Sequence, residues 1–425
     1  MKRWALAVLA LATLLRLWLA GSLGLSADEA YYWSWGLEPT WDHPNGVGLL
    51  IDLGCLVFGD TQLGVRAGGL LLQAAALAVL LWHERWSAGL LLLLAAPAVL
   101  VVGLLAVPDV GLLSFWTLAV VALERDKPAI SGLCAGLALW FKLPAVLLIG
   151  ALLLAHRDRK GLTAAGIGLL LGAPALALQA LYGGLGFQAD HGLGRGDGGL
   201  GPLLELLGAQ LGFLGPLLFF GAFGWIWKGR RDAWWWTAVL ALGLFLPASL
   251  LSRPEGNWLL PFSLAALVGL SRSTGRLGRV AEWGGAFALV MSLLVFVHAL
   301  RPIWRLPRDP LDQLRMGPVI AQSVEAWGVQ PVLCERYQEA AWIAFYAGIE
   351  TTTVPERGRR DQYDLRPREL PERTVFVRPA STRERIDTED LYPQRSGPHL
   401  VTARDEHRIF AEWQVFEVWG YDPAP

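Results

Sequence analysis

The chain has 425 residues, of which 54% are hydrophobic and only 17% charged, and its mean hydropathy is +0.41. Soluble domains usually carry about 25% charged residues, so an ordinary soluble globular class is set aside. A formal net charge of −1 gives no reason to expect a nucleic-acid partner, and Cys55, Cys134 and Cys334 show neither metal-ligand nor disulfide-framework spacing.

The polarity deficit is uneven. Residues 1–300 are Leu/Ala/Gly/Val runs broken by short charged clusters, whereas 301–425 are ordinary in polarity and rich in Arg, Asp and Glu. This reads as a polytopic membrane domain over 1–300 and a soluble domain over 301–425, the latter of normal domain size. Many of the 21 tryptophans stand near the ends of apolar runs, as interface anchors do.

The first apolar run follows Met1-Lys2-Arg3. Leu25-Ser26-Ala27 is a poor cleavage site and Arg16 interrupts the run, so residues 4–21 read as an uncleaved first helix rather than a signal peptide. Directly after it comes Ser26-Ala27-Asp28-Glu29-Ala30-Tyr31-Tyr32-Trp33-Ser34-Trp35, then Trp41-Asp42-His43-Pro44. Asp28 and Glu29 fit the first turn of a short helix, where acids are favoured. The aromatics that follow belong at a membrane–water boundary, and paired acids there can handle a proton or a headgroup.

Further candidate spans are 63–82, 88–107, 110–123, 129–141, 143–155, 162–182, 203–227, 233–251, 258–270 and 280–300. A full crossing needs about 20 residues, so the shorter pieces are candidates for broken or shifted helices around a cavity. Counting 129–141 and 143–155 as a hairpin, the clusters Lys2-Arg3, His83 to Arg85, Glu124 to Lys127, His156 to Lys160, Lys228 to Asp232 and Arg272 to Arg279 fall on alternate connections. The positive-inside rule puts these clusters and the N-terminus in the cytoplasm, and about eleven spans leave the C-terminal domain outside.

The opposite face then collects Asp28, Glu29, Asp42, His43, Asp60, Arg66, Asp109, Lys142, the glycine-rich stretch 183–199, and Arg253 to Asn257. Lys142, at the hairpin tip between Phe141 and Leu143, is either a snorkelling lysine or a cation for a lipid phosphate. Asp109 after Pro108 reads first as a helix start. Arg253 is either half of a surface pair with Glu255 or a bidentate phosphate ligand. The stretch 183–199, with Asp190, His191, Arg195 and Asp197, matches no phosphate loop and suits a lid. No metal-ligand spacing occurs. In the tail, helical patterns near 318–327 and 338–347, a short apolar Val332-Leu333 and strands at 374–377 and 413–418 predict a small α/β domain.

In order and spacing, these residues resemble a bacterial family of polyprenyl-phosphate-sugar-dependent glycosyltransferases of the GT-C type, related to protein O-mannosyltransferases and the lipid A aminoarabinose transferase. The likeness rests on Asp28 to Trp33, Asp42-His43-Pro44, Phe58-Gly59-Asp60 to Arg66, Pro108-Asp109, Gly136-Leu137-Ala138 to Lys142, and Asn257-Trp258 with Pro261. In the tail it continues through Arg336-Tyr337-Gln338, Ala344-Phe345-Tyr346 and Gly358 to Asp364. Phe141 and Leu143 differ from that family's flanks of the lysine.

The resemblance implies a GT-C-like helix bundle in the bacterial inner membrane with a periplasmic or extracellular C-terminal domain. It implies a polyprenyl-phosphate sugar donor, a lipid, glycan or protein acceptor hydroxyl on the outer face, and inversion at the anomeric carbon. In this reading Asp28 is the catalytic base and Glu29 a supporting or alternative base. Lys142 and Arg253 stabilise the leaving phosphate, and His43, Asp42, Tyr32 and Asp109 line the substrate. No cofactor is required, although a divalent ion at Asp28 and Glu29 is compatible with the sequence. The rivals are a transporter or flippase of lipid-linked saccharides, which would spread ionisable residues toward mid-membrane, and a non-catalytic assembly subunit.

Overall fold

The computed structural model describes residues 2–36, 40, 43–85, 87–185, 198–304, 306, 309–354, 361–365, 368–381, 391–406 and 408–421. The chain begins with α1 (Lys2–Ser22), then α2 (Ala27–Trp35), α3 (Gly46–Phe58) and α4 (Gln62–His83). Short pieces α5 (Ala88–Leu93), α6 (Pro97–Leu100) and a 3-10 turn (Val102–Leu104) lead into α7 (Pro108–Glu124), α8 (Pro128–Leu139), α9 (Ala145–Ala155) and α10 (Arg159–Leu181). The bundle is completed by α11 (Leu200–Leu214), α12 (Pro216–Lys228), α13 (Ala233–Leu251), a 3-10 turn (Gly256–Leu259), α14 (Leu260–Ser271) and α15 (Gly275–Leu300).

Among the described residues, five helices are long and apolar enough to cross a membrane: α1, α4, α10, α13 and α15. The pair α11 and α12 adds a sixth crossing if its 105° bend is counted within one span. The bend falls at Gly215, whose φ of +78° is costly for any residue with a Cβ, and Pro216 starts the second half. Leu11, Leu56, Leu170 and Trp283 lie exposed on the bundle's outside, where lipid rather than water is the matching solvent.

Two expectations change. Segment 88–107 is not one span but α5, α6 and the 3-10 turn. Pro97 has no N–H to continue a helix, and a Cβ at Gly103 would sit 2.1 Å from Gln73 Oε1, so the backbone turns there against Gln73 and Arg16. Segment 46–58, which was not among the expected spans, forms α3 and packs on α4: a Cβ at Gly54 would meet the Gly64 carbonyl at 2.1 Å, and one at Gly68 the Leu50 carbonyl at 2.1 Å. The hairpin 129–155 is present as α8 and α9, with Lys142 in the turn between them. The large apolar core holds Trp116, Trp234 and Phe262, and Trp116 Nε1 donates to Thr237 Oγ1 at 3.1 Å.

The tail folds as α16 (Gln313–Glu325), β1 (Val332–Cys334), α17 (Tyr337–Ala347), β2 (Thr351–Thr353), β3 (Arg373–Pro379), β4 (Gln394–Arg404) and β5 (Ile409–Trp419). Its sheet has the order β2-β1-β3-β5-β4, parallel across β2-β1-β3 and antiparallel across β3-β5-β4. The α/β expectation for the tail holds. Its core does not stop at residue 301: Leu25, Tyr31, Trp35 and Val65 share one apolar cluster with Ile320, Val332, Trp342 and Trp413. Trp342 Nε1 donates to the Leu25 carbonyl at 3.0 Å, Leu25 N donates to Tyr346 Oη at 2.6 Å, and Gln362 N donates to Tyr31 Oη at 2.7 Å. Helix α2 is therefore half of the domain's docking surface.

Candidate functional site

Helix α2 begins at Ser26, which caps it. Glu29 N donates to Ser26 Oγ, and Ser26 N donates back to Glu29 Oε2 at 3.0 Å. This reciprocal cap makes positions 28 and 29 the first turn, and their side chains diverge. Asp28 is exposed, whereas Glu29 is 0% exposed.

Glu29 is taken up by the fold. Arg66 Nε reaches Oε1 at 2.6 Å and Nη2 reaches Oε2 at 2.7 Å. Ala106 N donates to Oε1 at 2.9 Å, and Ser26 Oγ to Oε2 at 3.1 Å. The remaining Arg66 donors go to the carbonyls of Ala20, Leu23 and Gly24 at 2.7–2.8 Å. Burial would raise the Glu29 carboxyl, but the Arg66 charge and these hydrogen bonds outweigh it and hold the group below the usual carboxylate range. A carboxylate with its roughly four lone-pair sites filled is poorly suited to take a substrate proton. Of the two expected bases, Glu29 is thus the one held inside the fold by Arg66. Because Arg66 covers both oxygens, Asp28 and Glu29 also do not form a paired ligand set for a divalent ion.

Asp28 meets a residue from the other end of the chain. Tyr337 Oη, at the first position of α17, donates to Asp28 Oδ1 at 3.0 Å. The Tyr31 ring packs against that of Tyr337 at a 41° tilt with centroids 4.4 Å apart, which fixes the phenol's position. Tyr337 was among the family-like residues but not among the expected site residues, because a contact 309 residues away leaves no local signal.

The same end of the bundle brings together the expected Lys142 and Asp109 with Asn257, which was not among the expected site residues. Lys142 Nζ lies 3.0 Å from both Asp109 oxygens, with both side chains buried. Asn257 Nδ2 donates to Asp109 Oδ2 at 3.0 Å, and Asn257 Oδ1 is buried with no hydrogen-bond partner among the described residues. The turn that carries Lys142 is pinned to the segment after His43, because Gly46 N donates to the Trp140 carbonyl at 2.7 Å. A Cβ at Gly46 would lie 2.6 Å from that oxygen, and one at Gly111 2.1 Å from the Phe141 ring, so both glycines are required by close approach. His43 faces Tyr32, ring centroids 6.5 Å apart. The Glu29–Ala106 bond ties α2 to the segment leading into Asp109, so the groups stand at one end of the bundle. Asp42, Asp190, His191, Arg195 and Asp197 lie outside the described residues.

Arg253 does not join this group. It pairs in a bidentate way with Glu205 of α11 at 2.8 and 2.7 Å, and both side chains are more than half exposed. The expected partner was Glu255. A solvated guanidinium bound to a carboxylate makes a weak phosphate ligand, and the geometry has Arg253 as half of a surface pair.

The opposite end gathers the charged clusters that the alternation rule assigns to one side. Arg272 binds Glu84, Glu124 and Asp232. His83 Nε2 lies 2.7 Å from Glu124, and Arg125 Nε donates to His83 Nδ1 at 3.1 Å. Ligand atoms of His83, Glu84 and Glu124 come within 4.8 Å of one another, the spacing of a metal site. The Arg272 guanidinium already supplies the cation there.

No protein-family model matches the chain, and no curated protein matches it. Among solved structures, it is similar to ArnT from Cupriavidus metallidurans, whose crystal structure is of the protein bound to undecaprenyl phosphate. The TM-score is 0.66 over 98% of this chain and 98% of that one, at 15% sequence identity. At that identity the likeness is one of fold: a polytopic helix bundle with a small C-terminal α/β domain.

Proposed function

We propose that the chain is an integral-membrane glycosyltransferase that moves a sugar from a polyprenyl-phosphate donor to an acceptor hydroxyl at the end of the bundle bearing the C-terminal domain. The observation that carries this reading is the exposed Asp28 carboxylate, oriented by Tyr337, on a fold shared with a protein bound to undecaprenyl phosphate. The bilayer is the bacterial inner membrane, with the N-terminus cytoplasmic and the C-terminal domain on the outer side, as the basic clusters at the opposite end favour.

The reaction is a displacement at the anomeric carbon, with inversion. The acceptor oxygen forms the new C–O bond, its proton passes to Asp28, and the bond to the prenyl phosphate breaks with its electron pair going to the phosphate oxygen. Asp28 suits the base role because it is exposed and Tyr337 holds one of its oxygens in place. Lys142 suits the phosphate. Asp109 takes two of its contacts, and an ammonium has three N–H donors, so one remains for a headgroup oxygen. Tyr32 and His43 flank the approach, and Asn257 orients Asp109. No metal is required by these roles.

The test is transfer of labelled sugar from a synthetic polyprenyl-phosphate donor by the purified full-length protein in detergent or nanodiscs. Asp28→Asn is expected to fold and to lose transfer. Near wild-type transfer by this variant removes Asp28 from the base role. Uptake of lipid-linked saccharide across vesicles without any glycosyl transfer would favour the transporter reading instead.

A further inference from the structure

A cavity of about 510 Å³ opens where α2 meets the C-terminal domain, and none of the roles above uses it. Small-molecule sites span roughly 300–1,000 Å³ and are mostly apolar with a few polar groups. This one differs in chemistry. Trp33 and Tyr363 supply aromatic surface, while Ser34, Glu350, Gln362 and Arg368 interleave a hydroxyl, a carboxylate, an amide and a guanidinium.

The rings are held in place. Trp33 Nε1 donates to Asp60 Oδ1 at 2.9 Å, and its ring meets Phe345 edge-on at 5.0 Å. Tyr363 stacks on Tyr31 at 6.3 Å. At the mouth, Arg368 and Glu350 pair at 2.8 Å with both side chains well exposed, which offers donors and acceptors side by side. Among the described residues its lining holds one cation and one anion, paired with each other, a balance that suits a neutral ligand better than a phosphate. Flat apolar faces alternating with hydrogen-bonding edges match an uncharged pyranose or furanose ring. Position adds to this: Tyr31 lies between Tyr363, which lines the cavity, and Tyr337, which holds Asp28, so the cavity stands one aromatic layer from the proposed base.

We propose that this cavity is a saccharide subsite that seats a non-reacting, uncharged sugar ring of the acceptor, which makes the acceptor a glycan. The inference rests on the transferase reading for its purpose, but sugar binding is measurable without transfer. The experiment is saturation-transfer NMR on the purified full-length protein in micelles with glucose, galactose, mannose, N-acetylglucosamine and arabinose, each at millimolar concentration. At least one sugar is expected to receive saturation on its ring protons. That signal should fall at least five-fold in Trp33→Ala and in Arg368→Ala, and persist in Arg272→Ala at the opposite end. Arg368 is exposed, so its variant keeps the test open if Trp33→Ala fails to fold. No saturation of any sugar by the wild type, or equal saturation in Arg368→Ala, overturns the subsite. Either result leaves the transferase reading standing if labelled sugar still moves from the synthetic donor. Loss of that reading alone would show as sugar saturation without transfer in every assay.

Discussion

The two ends of the helix bundle both concentrate charge, yet they are built to opposite effect. At the end away from the C-terminal domain, Arg272 sits among Glu84, Glu124 and Asp232, and His83 closes the ring. Each acid there has a partner supplied by a neighbouring helix, and the network ties α4, α7, α13 and α14 together. At the other end the same residue types are split into two layers. Glu29 and Arg66 are fully buried and mutually satisfied, while directly beside them Asp28 is exposed and accepts a hydrogen bond from Tyr337. Charge density therefore does not mark a site. In the proposed reading it is marked by an accessible carboxylate beside one that is locked, because the locked pair supplies the rigidity that an acid–base group needs.

This contrast can be broken by mutation. The largest effect is expected from Asp28→Asn, which should lower transfer by about 10²–10⁴-fold with little change in thermal unfolding. A large loss of stability would instead place Asp28 in the locked layer. Arg66→Ala should do the reverse. It strands a buried carboxylate, and about 3–5 kcal/mol of stability should be lost, seen as poor recovery in detergent and early melting.

The pH dependence of that pair follows from its direction. The Glu29 carboxyl is held below its ordinary value in the folded protein. Its stabilisation is therefore complete above the ordinary carboxylate value of about 4.3 and is lost as pH falls through the lowered folded value. Melting curves from pH 7 downward should show wild type losing its advantage over Glu29→Gln only in the acid range. An advantage that declined above pH 6 would point to a different group.

Smaller effects sharpen the comparison. Arg272→Ala should cost about 1–3 kcal/mol by leaving three acids short of a donor, with transfer per folded molecule unchanged. A selective loss of transfer would make the opposite end part of the chemistry. Tyr337→Phe removes one hydrogen bond to Asp28, worth about 1 kcal/mol, and should reduce turnover several-fold while shifting the pH–rate profile, as a positioning residue does. Arg253→Ala should change both stability and donor use least, by about 0–1 kcal/mol. A strong defect in donor KM there would restore it as a phosphate ligand.

The bundle, the α/β tail, the hairpin tip at Lys142 and the sorting of charged clusters to alternate connections were readable from hydropathy and spacing, because each is a local property of a segment. Asp28 stood out for the same reason, beside its run of aromatics. What could not be read were partnerships across long separations. Glu29 looked equivalent to Asp28 until Arg66, 37 residues on, met it, and Arg253 looked available until Glu205 did. Tyr337 reaches back 309 residues to Asp28, and nothing in either neighbourhood announces the other. The break of 88–107 is of the same kind. Pro97 hinted at it, but the close approach of Gln73 to Gly103 is a tertiary fact.

The core that α2 shares with the tail has a consequence for biogenesis. Leu25 leaves the ribosome 317 residues ahead of Trp342, its eventual hydrogen-bond partner. At about 5–20 residues per second, the aromatic flank of Tyr31 and Trp35 waits roughly 15–60 s without the surface that covers it. A nascent chain stalled or clipped before α17 would therefore lack the tail's share of that apolar cluster, and synthesis of the tail is the step that covers the first loop.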